Sequence, residues 1–516
     1  MPDRVALTVD GRTIAAESGI SVAAALSNAG IDRLRTSVTG APRGVLCAMG
    51  VCFECRATID GSPHRRGCME LVRDGMSVAI SDPAGRQRPS DVLPGPQRLT
   101  CDVAVVGAGP AGIAAACRAA ESGARTLLLD EGLVPGGQIH RHRPGASAPE
   151  AARSWIERLA RSGASVLAGA SVFDVVPEGG GFRLAAESAD GARVVTAGRL
   201  VLATGARELF LPFPGWTLPG VMGAGAAQAL LKSGAIFAGR VAVVAGSGPL
   251  LLPVAASLAK AGAKVALVAE QAGWASLASF TGGLVRLPRK LLEAARYRSA
   301  FSAAPYRSRT WITEAKGADR VESVVVTNGR TSRAVACDLA AVAYGLVPNT
   351  ELARLLGCAL RGGAIAVNAL QQTSVAGVFG AGEPCGVAGL EVAVAEGEIA
   401  GLAAAGRADA SAHALSAVRA SGRTFAARMD RAFRLRPALR ALARPDTIVC
   451  RCEDVTLAAV SSSASARESK LASRAGMGPC QGRVCGPALQ FLFGWDSDTV
   501  RPPARPALMG HLAISE

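Results

Sequence analysis

Histidine and aromatic residues are scarce in this chain. Its 516 residues include 5 His and 3 Tyr, and aromatic residues make up 4% of the total. No Ser, His and Asp grouping supports hydrolytic chemistry. The formal net charge is +15, yet the Arg-rich segment 419–444 has no platform of aromatic residues, which a single-stranded nucleic acid site would require. We therefore expect no nucleic acid partner.

Unbroken apolar segments of membrane-spanning length are also missing. The N-terminus carries Asp3 and Arg4 where a signal peptide would be apolar. The uncharged stretches 209–231 and 241–259 are interrupted by Pro and Gly, so they are interpreted as strand–turn–helix units. We expect a cytoplasmic protein with no integral membrane span, any membrane association being through partners.

Glycine and cysteine, by contrast, are plentiful, with 60 Gly and 13 Cys. Disulfides are disfavoured in the cytoplasm, so grouped cysteines indicate metal binding or redox chemistry. Hydrophobic residues make up 49% of the chain, and its length predicts two to four domains.

One pattern of strand, glycine turn, helix and strand occurs twice. The first copy is "CDVAVVGAGPAGIAAACRAAESGARTLLLDEG" from Cys101, and the second is "RVAVVAGSGPLLLPVAASLAKAGAKVALVAE" from Arg240. This repeat predicts an α/β fold with two Rossmann-type dinucleotide-binding domains.

The first copy has every part of a dinucleotide site. Gly107 permits a tight turn, Gly109 lets the backbone approach a pyrophosphate, and Gly112 lets helix and strand pack closely. The second strand ends at Asp130 and Glu131, where a carboxylate can accept both ribose hydroxyls.

Three further motifs favour FAD over NAD: "PGGQI" (135–139), "LVLATGARE" (200–208) and "TSVAGVFGAGE" (373–383). Their order resembles the two-dinucleotide-domain flavoproteins, in which the last acid binds the ribityl chain. Most members have Asp there, and Glu383 is one methylene longer. The candidate FAD-binding residues are Gly107, Gly109, Pro110, Ala111, Gly112, Asp130, Glu131, Gly137, Gln138, Thr204, Gly205, Gly382 and Glu383.

The second copy is less complete. Gly246 and Gly248 repeat the turn, but Leu251 replaces the third glycine, and the ribose position falls on Ala269, with Glu270 one place on. The resemblance implies NAD(P)H here; another adenine nucleotide or a structural domain remain alternatives. Because no Cys-x-x-Cys lies near this copy, a dithiol relay is not expected.

The cysteines form two groups of four. Cys47, Cys52, Cys55 and Cys68 have plant-type ferredoxin spacing, in a loop whose small residues let backbone N–H groups reach the sulfurs. This predicts a 2Fe–2S cluster, with zinc as the competing interpretation.

The second group is Cys450, Cys452, Cys480 and Cys485, which need a helical hairpin between the two pairs to converge. It resembles the bacterioferritin-associated-ferredoxin type of 2Fe–2S domain. The Ser-rich spacer is short for that resemblance, so zinc and an empty site remain alternatives.

Taken together, "GVLCAMGVCFECRATIDG", "LPFPGWTLPGVMGAGAAQALLKSG" and "GMGPCQGRVCGP" resemble the α subunits of the opine oxidase, hydrogen cyanide synthase and D-hydroxyproline or proline dehydrogenase family, with a fused N-terminal ferredoxin-like domain. The resemblance implies FAD, two 2Fe–2S clusters and electron transfer within a heteromeric amino acid or imino acid dehydrogenase. The implied partners are a substrate-oxidising, glycine-oxidase-like flavoprotein, in some complexes a small additional subunit, and an acceptor such as a quinone or respiratory chain component.

Two other functions remain open. One is a self-contained NAD(P)H-dependent reductase; the other, ranked last, is a redox sensor using the Arg-rich segment 419–444. That segment is interpreted first as a solvated helical face and next as a docking surface for an acidic subunit. No catalytic acid or base is assigned, although His140 and His142 follow the "PGGQ" turn.

The predicted domains follow the motifs along the chain. They are a ferredoxin-like domain (1–82), a linker (83–100), an FAD-binding domain in two parts (101–215 and 346–410), an NAD(P)-type Rossmann domain (216–345), an Arg-rich helical connector (411–444), a C-terminal 2Fe–2S domain (445–495) and a tail (496–516).

Overall fold

The computed structural model describes residues 3–80, 95–284, 288–407, 410–496 and 500–513. The chain divides into two compact units. Unit 1 comprises Met1–Arg88, Glu208–Gly345 and Arg428–Asp498, and unit 2 comprises Pro89–Arg207, Leu346–Ala427 and Thr499–Glu516. The chain passes between them in the short strand Ala206–Glu208, just before the strand Leu346–Pro348, and within the helix Ala410–Ala432.

Unit 1 begins with a five-stranded mixed sheet. In sheet order its strands are Arg12–Glu17, Arg4–Val9, Met76–Ala79, Arg56–Ile59 and Ser62–Arg66. An Asp-Gly turn joins its first two strands, and both Asp10 and Gly11 have the positive φ of a tight hairpin turn. The helix of this domain is Val22–Asn28, where the Ser21 side chain accepts the N–H of Ala24.

The second part of unit 1 is a parallel Rossmann-type sheet. In sheet order its strands are Val221–Gly223, Leu339–Ala343, Val241–Gly246, Lys264–Glu270 and Tyr306–Arg307. Its helices are Ala224–Lys232, Leu251–Lys260, Trp274–Gly283 and Pro288–Ala300, and an antiparallel sheet follows with strands Trp311–Lys316, Ser323–Thr327 and Ser332–Ala336. Both uncharged stretches are thus strands and helices of a buried core, as predicted. In the part of the chain that the structure describes, no helix combines the length and apolarity needed to cross a bilayer.

The last part of unit 1 carries the second cysteine group. Its elements are the 3₁₀ turn Pro437–Ala441, the paired strands Ile448–Cys450 and Val455–Thr456, and the helices Leu457–Ser461, Ala466–Ser473 and Cys485–Phe493. Two short helices therefore lie between the cysteine pairs. Within the Ser-rich spacer, Ser465 caps the second of them by accepting the N–H of Glu468.

Unit 2 is built on a seven-stranded sheet. Its main path runs through Ser165–Ala168, Thr126–Asp130, Gln97–Val106, Gly191–Leu202, Gly181–Ser188 and Ser171–Glu178, and Val378–Gly380 pairs with Gly191–Leu202. Its other elements are the helices Pro110–Glu121, Glu150–Arg161, Glu351–Leu355, Leu390–Ala404 and Met509–Ala513, the 3₁₀ turn Glu383–Cys385, and the strands Leu360–Arg361 and Ala364–Ile365.

Two helices of unit 2 approach each other very closely. A Cβ at Gly397 would lie 2.1 Å from the carbonyl oxygen of Ala111, and one at Gly401 would lie 2.3 Å from that of Ala115. Helix Leu390–Ala404 therefore packs directly on the helix that follows the first glycine turn, which places the "GAGE" turn beside it.

The predicted linker and the predicted tail both lie partly outside the described residues. Of the linker 83–100, residues 83–94 are not described, and residues 97–100 belong to the strand Gln97–Val106. Of the tail 496–516, residues 497–499 and 514–516 are not described, and residue Ala504 is buried in the core of unit 2.

Candidate flavin and iron–sulfur sites

The first glycine turn has the geometry that the sequence predicts. Gly107 has φ 107°, and a Cβ there would lie 2.2 Å from the Ala203 carbonyl oxygen. A Cβ at Gly112 would lie 1.6 Å from the Gly107 carbonyl oxygen. Apart from its chain neighbours, no heavy atom of the described residues lies within 4 Å of the Cβ position of Gly109, which caps the helix Pro110–Glu121. The space at Gly109, with the helix N-terminus behind it, suits an anion.

Asp130 lies at the end of the second strand and closes this turn. Its carboxylate accepts the N–H of Ala108 and, at 2.5 Å, the N–H of Gly132. Burial raises the pKa of Asp130 to about 6, although the two hydrogen bonds lower it. Its neighbour Glu131 forms an ion pair with Arg505, which the sequence did not single out.

The other predicted flavin motifs meet the glycine turn. In "PGGQI", the N–H of Gly136 donates to the Ala108 carbonyl oxygen at 2.8 Å, and a Cβ at Gly137 would lie 2.8 Å from the Gly109 Cα. In "LATG", the Thr204 hydroxyl donates to the Asn349 carbonyl oxygen at 2.6 Å.

One cavity of unit 2 brings predicted and unpredicted residues together. Its lining includes Gly107, Asp130, Glu131, Thr204, Asn349 and Arg505. The first four are predicted FAD-binding residues. Nothing in their local spacing indicates Asn349 or Arg505, because both reach the cavity from distant parts of the chain.

The "GAGE" turn is held by a buried carboxylate. Glu396, which is 0% exposed, accepts the N–H of Gly382 at 3.0 Å and a guanidinium N–H of Arg423 at 2.6 Å. Arg419 lies 3.4 Å from the same carboxylate. Glu383 follows Gly382, and burial raises its pKa. Two arginines of the Arg-rich segment therefore stabilise the predicted ribityl end of the flavin site.

For Arg419 and Arg423, this contact corrects the first interpretation of the Arg-rich segment as a solvated face. Arg428, Arg431 and Arg434 are exposed, as that interpretation expects. Arg436 is half-buried and Arg440 is exposed. Their guanidinium groups lie over the rings of Trp311 and Phe491, at 5.9 and 5.5 Å.

The second glycine turn differs from the first in two ways. Gly246 keeps the tight turn, since a Cβ there would lie 1.8 Å from the Ala343 carbonyl oxygen. The following helix begins only at Leu251, three residues after Gly248, whereas the first helix begins directly after Gly109. Leu251 itself is 0% exposed and packs in the core.

The predicted ribose position in this turn is wrong by one residue. Gly246 pairs with Glu270, whereas Ala269 pairs with Ala245 inside the sheet. A β-bulge puts one extra residue, Ala266, into the second strand and shifts the acid by one place. Glu270 accepts the N–H of Gly248 at 2.8 Å and that of Ala272 at 2.7 Å, and burial raises its pKa to about 7.

The segment 433–436 lies against this second turn. The Ser247 hydroxyl donates to the Phe433 carbonyl oxygen at 2.8 Å, and the Gln271 amide donates to the carbonyl oxygens of Phe433 and Arg434, both at 3.3 Å. Arg436 in turn donates to the Gln271 carbonyl oxygen at 2.5 Å.

The first cysteine group is buried and pairs within itself. The sulfur of Cys47 faces the N–H groups of Met49 at 3.5 Å and Cys52 at 3.3 Å, and the sulfur of Cys55 faces the N–H of Cys68 at 3.4 Å. Burial alone would raise the pKa of Cys47, but hydrogen bonds from the Cys52 side chain and from backbone N–H groups lower it to about 6. Side-chain contacts join Cys47 with Cys52 and Cys55 with Cys68.

The second group has the same paired arrangement. Side-chain contacts join Cys450 with Cys485 and Cys452 with Cys480. The contact with Cys485 lowers the pKa of Cys450 to about 6. A Cβ at Gly478 would lie 2.1 Å from the Cys452 Cβ, so only glycine fits there.

Two pairs of thiolates suit two irons better than one zinc. In a 2Fe–2S cluster each iron takes two protein ligands, whereas a structural zinc takes four protein ligands around a single ion. All eight predicted cysteines fit the 2Fe–2S arrangement by their pairing.

Two family models match segments of the chain. Residues 101–397 match the pyridine nucleotide-disulphide oxidoreductase family, and residues 2–83 match the 2Fe-2S iron-sulfur cluster binding domain. The predicted fold class, an FAD-dependent Rossmann-type flavoprotein with an N-terminal ferredoxin-like domain, is confirmed.

Three similar proteins agree with these matches. One subunit of opine oxidase from Rhizobium meliloti (strain 1021) is 32% identical, covering 80% of this chain and 98% of its own length. The HcnB subunit of hydrogen cyanide synthase from Pseudomonas aeruginosa is 32% identical, covering 77% and 92%. The crystal structure of L-proline dehydrogenase from P. horikoshii has the same fold, with a TM-score of 0.72 and 22% identity over 99% of this chain and 98% of that chain.

Proposed function

Because the chain belongs to the pyridine nucleotide-disulphide oxidoreductase family, in the group that includes subunits of opine oxidase and hydrogen cyanide synthase, we propose that it is the electron-transferring subunit of a heteromeric amino acid or imino acid dehydrogenase. The donor is an opine, D-hydroxyproline, proline or glycine, oxidised at a CH–NH or CH–NH₂ bond. The observation that carries this proposal is the presence, in one chain, of an FAD-type glycine turn and two buried groups of four paired cysteines.

The proposed cofactors account for the transfer of electrons from a two-electron donor to one-electron acceptors. Oxidation of an amine to an imine releases two electrons, bound FAD exchanges electrons in pairs or singly, and 2Fe–2S clusters exchange them singly. The N-terminal cluster is supported by the family match to residues 2–83. The second cluster, at Cys450, Cys452, Cys480 and Cys485, is our proposal and rests on the same pairing of sulfurs.

The protein residues bind and orient the flavin in this proposal. Gly109 leaves space for the pyrophosphate at the helix N-terminus, and Asp130 accepts hydrogen bonds from the ribose. Thr204 and Asn349 form the wall of the same cavity, and Glu383, behind Gly382, contacts the ribityl chain.

The names of the relatives, which are subunits of larger enzymes, support a complex with partner subunits. We propose a second, glycine-oxidase-like flavoprotein that oxidises the substrate, in some complexes a small additional subunit, and a quinone or other respiratory chain acceptor. The exposed Arg428, Arg431 and Arg434 suit an acidic partner surface. We place the complex in the cytoplasm, with membrane association only through partners.

One observation favours a second candidate, an NAD(P)H-dependent reductase. Glu270 stands in the ribose register of the second turn, so an adenine nucleotide has a carboxylate to bind. Against this candidate, the helix begins late and the segment 433–436 lies against the turn, which leaves fewer free N–H groups for a pyrophosphate. NAD(P)H or another adenine nucleotide at Gly246 and Gly248 therefore remains the alternative.

Anaerobic rapid mixing distinguishes the two candidates. With the native complex, the amino acid donor should bleach the flavin absorbance, and NADH or NADPH should not. Rapid bleaching by NADH or NADPH in the isolated chain would refute the subunit proposal and favour the reductase.

Iron analysis tests the two clusters separately. Wild-type chain purified anaerobically should contain roughly four irons. Cys52→Ser and Cys480→Ser should each remove about two of them and one EPR signal. Cys117→Ser, which changes a buried cysteine outside both groups, is the matched control and should retain all four. Zinc in place of iron would refute the proposal.

A further inference from the structure

Three buried charged side chains connect the two cysteine loops of unit 1. Glu54 stands between Cys52 and Cys55 in the first loop, and Arg451 stands between Cys450 and Cys452 in the second. Arg35 comes from a separate strand. Each of the three side chains is 1% exposed, although charged residues are seldom buried so completely.

A single nitrogen of Arg35 joins the two loops. Its Nη2 donates to Oε1 of Glu54 at 2.9 Å and to the carbonyl oxygen of Arg451 at 3.0 Å. The other oxygen of Glu54, Oε2, lies 3.4 Å from Nη2 of Arg451. Both carboxylate oxygens are therefore used, one for each arginine.

The surroundings hold Arg451 in place from its other side. Its Nη1 donates to the Trp216 carbonyl oxygen at 2.8 Å, and its guanidinium carbon lies 5.0 Å from the centre of the Trp216 ring. The indole N–H of Trp216 donates to the Ile448 carbonyl oxygen at 2.6 Å. The position of the second cysteine loop is thus tied to that of Arg451.

A second ion pair joins the same loops nearby. Arg43 is the Cα partner of Arg35 in the small ladder formed by Arg35–Thr36 and Pro42–Arg43, and it pairs with Asp454 at 2.5 Å. Asp454 also accepts the Thr39 hydroxyl at 2.6 Å. This hairpin therefore delivers two arginines to the contact between the loops.

Stability alone is a poor reason for such a cluster. Buried ion pairs often contribute little net stability, because desolvation offsets the attraction. Arg35, Glu54 and Arg451 together carry one net positive charge, and Nε of Arg35 and Nε of Arg451 are buried without an acceptor among the described residues. Both features fit a place beside anionic groups. A 2Fe–2S cluster held by four thiolates is such a group, because its net charge is negative when it is oxidised and more negative when it is reduced.

We propose that Arg35, Glu54 and Arg451 form a shared charge bridge that couples the two clusters and sets the level of both reduction potentials. This inference rests on the proposed function, because it needs both clusters. The net charge and hydrogen bonds around a cluster set its potential. A charge held between the loops acts on both clusters, so its removal shifts both potentials in the same direction.

The direction of each shift follows from the charges. Glu54→Gln removes a negative charge and keeps the side-chain shape, so the reduced clusters become more stable and both potentials rise. Arg35→Gln removes a positive charge, so both potentials fall. We expect each substitution to change the reduction equilibrium of each cluster by at least about tenfold, which is about 59 mV for one electron.

The test is a redox titration of the full chain followed by EPR, with both cluster signals measured in each variant. Asp32→Asn is the matched control, since Asp32 also belongs to a partly buried ion pair of unit 1, with Arg240 at 3.1 Å, and is not part of the bridge; it should leave both potentials unchanged. The double variant with both Arg35 and Glu54 changed should shift the potentials by less than either single variant, because the two charges cancel.

The titration distinguishes failure of the charge bridge from failure of the proposed second cluster. If Glu54→Gln shifts only the first cluster, or neither, while both signals are present, the bridge is refuted and the proposed function stands. If wild-type protein shows one cluster signal and about two irons, both the second cluster and the bridge are refuted. If Arg35→Gln fails to fold, the isosteric Glu54→Gln still tests whether the bridge acts on both clusters.

Discussion

Two glycines three residues apart allow ligand binding and packing to be tested separately. At Gly109 the Cβ position has no described residue within 4 Å besides its chain neighbours, and φ is −73°, which alanine adopts freely. At Gly112 the Cβ position is 1.6 Å from the Gly107 carbonyl oxygen. We predict that Gly109→Ala folds and binds FAD poorly, whereas Gly112→Ala destabilises the fold itself.

The expected magnitudes follow from these contacts. Replacing glycine by alanine at the helix N-cap costs about 0.5–1 kcal/mol of folding free energy. A methyl group in the space for the pyrophosphate costs about 1–3 kcal/mol of binding, so the FAD dissociation constant should rise roughly 5- to 150-fold. At Gly112 the methyl group meets backbone, so the unfolding free energy should fall by more than about 3 kcal/mol.

Urea unfolding and flavin fluorescence titration measure the two effects. Gly282→Ala is the control, because its Cβ position is also open and it lies in a helix of unit 1; it should leave FAD binding unchanged. Wild-type FAD affinity in Gly109→Ala would show that the pyrophosphate does not lie over this turn. Unchanged stability in Gly112→Ala would contradict the packing argument.

Three further predictions concern unit 2. FAD affinity should rise as the pH passes through about 6, because burial raises the pKa of Asp130 to about 6 and the ionised carboxylate is the better acceptor for the ribose. In a fluorescence titration, Asp130→Asn should weaken FAD binding and flatten its dependence on pH. Glu396→Gln should lower the free energy of unfolding in urea by about 2–3 kcal/mol, since it leaves two arginines and a backbone N–H without a carboxylate. In the control, Glu157→Gln at an exposed position should change this free energy by less than about 0.5 kcal/mol. Arg505→Ala should raise the FAD dissociation constant about 2- to 5-fold through loss of a half-buried ion pair of about 1 kcal/mol, and the exposed Arg501→Ala should not.

The sequence predicts those parts of the site that depend on local backbone geometry. The roles of Gly107, Gly109 and Gly112 follow from their spacing between a strand and a helix, and the structure has the expected close approaches at Gly107 and Gly112 and the expected open space at Gly109. The ribose position of the second turn fails for a local reason, since a bulge at Ala266 cannot be recognised from composition. The acid is therefore found at Glu270.

Residues that reach the sites from distant parts of the chain are not predictable from spacing. Glu396 is 27 residues from Arg423, and Asn349 is 145 residues from Thr204. Their pairing depends on how helices and sheets pack. The Arg-rich segment illustrates the difficulty: its helix is evident from the sequence, but which arginines face a buried carboxylate is decided only by tertiary structure.

The contact between Arg35 and Arg451 spans 416 positions of the chain, and this separation has a consequence for biosynthesis. At about 5–20 residues per second, a ribosome needs roughly 20–80 s to make the intervening polypeptide. During that time the nascent N-terminal sheet exposes Arg35 and Glu54 without their C-terminal counterpart. A truncated messenger would therefore yield a first loop that lacks its electrostatic complement.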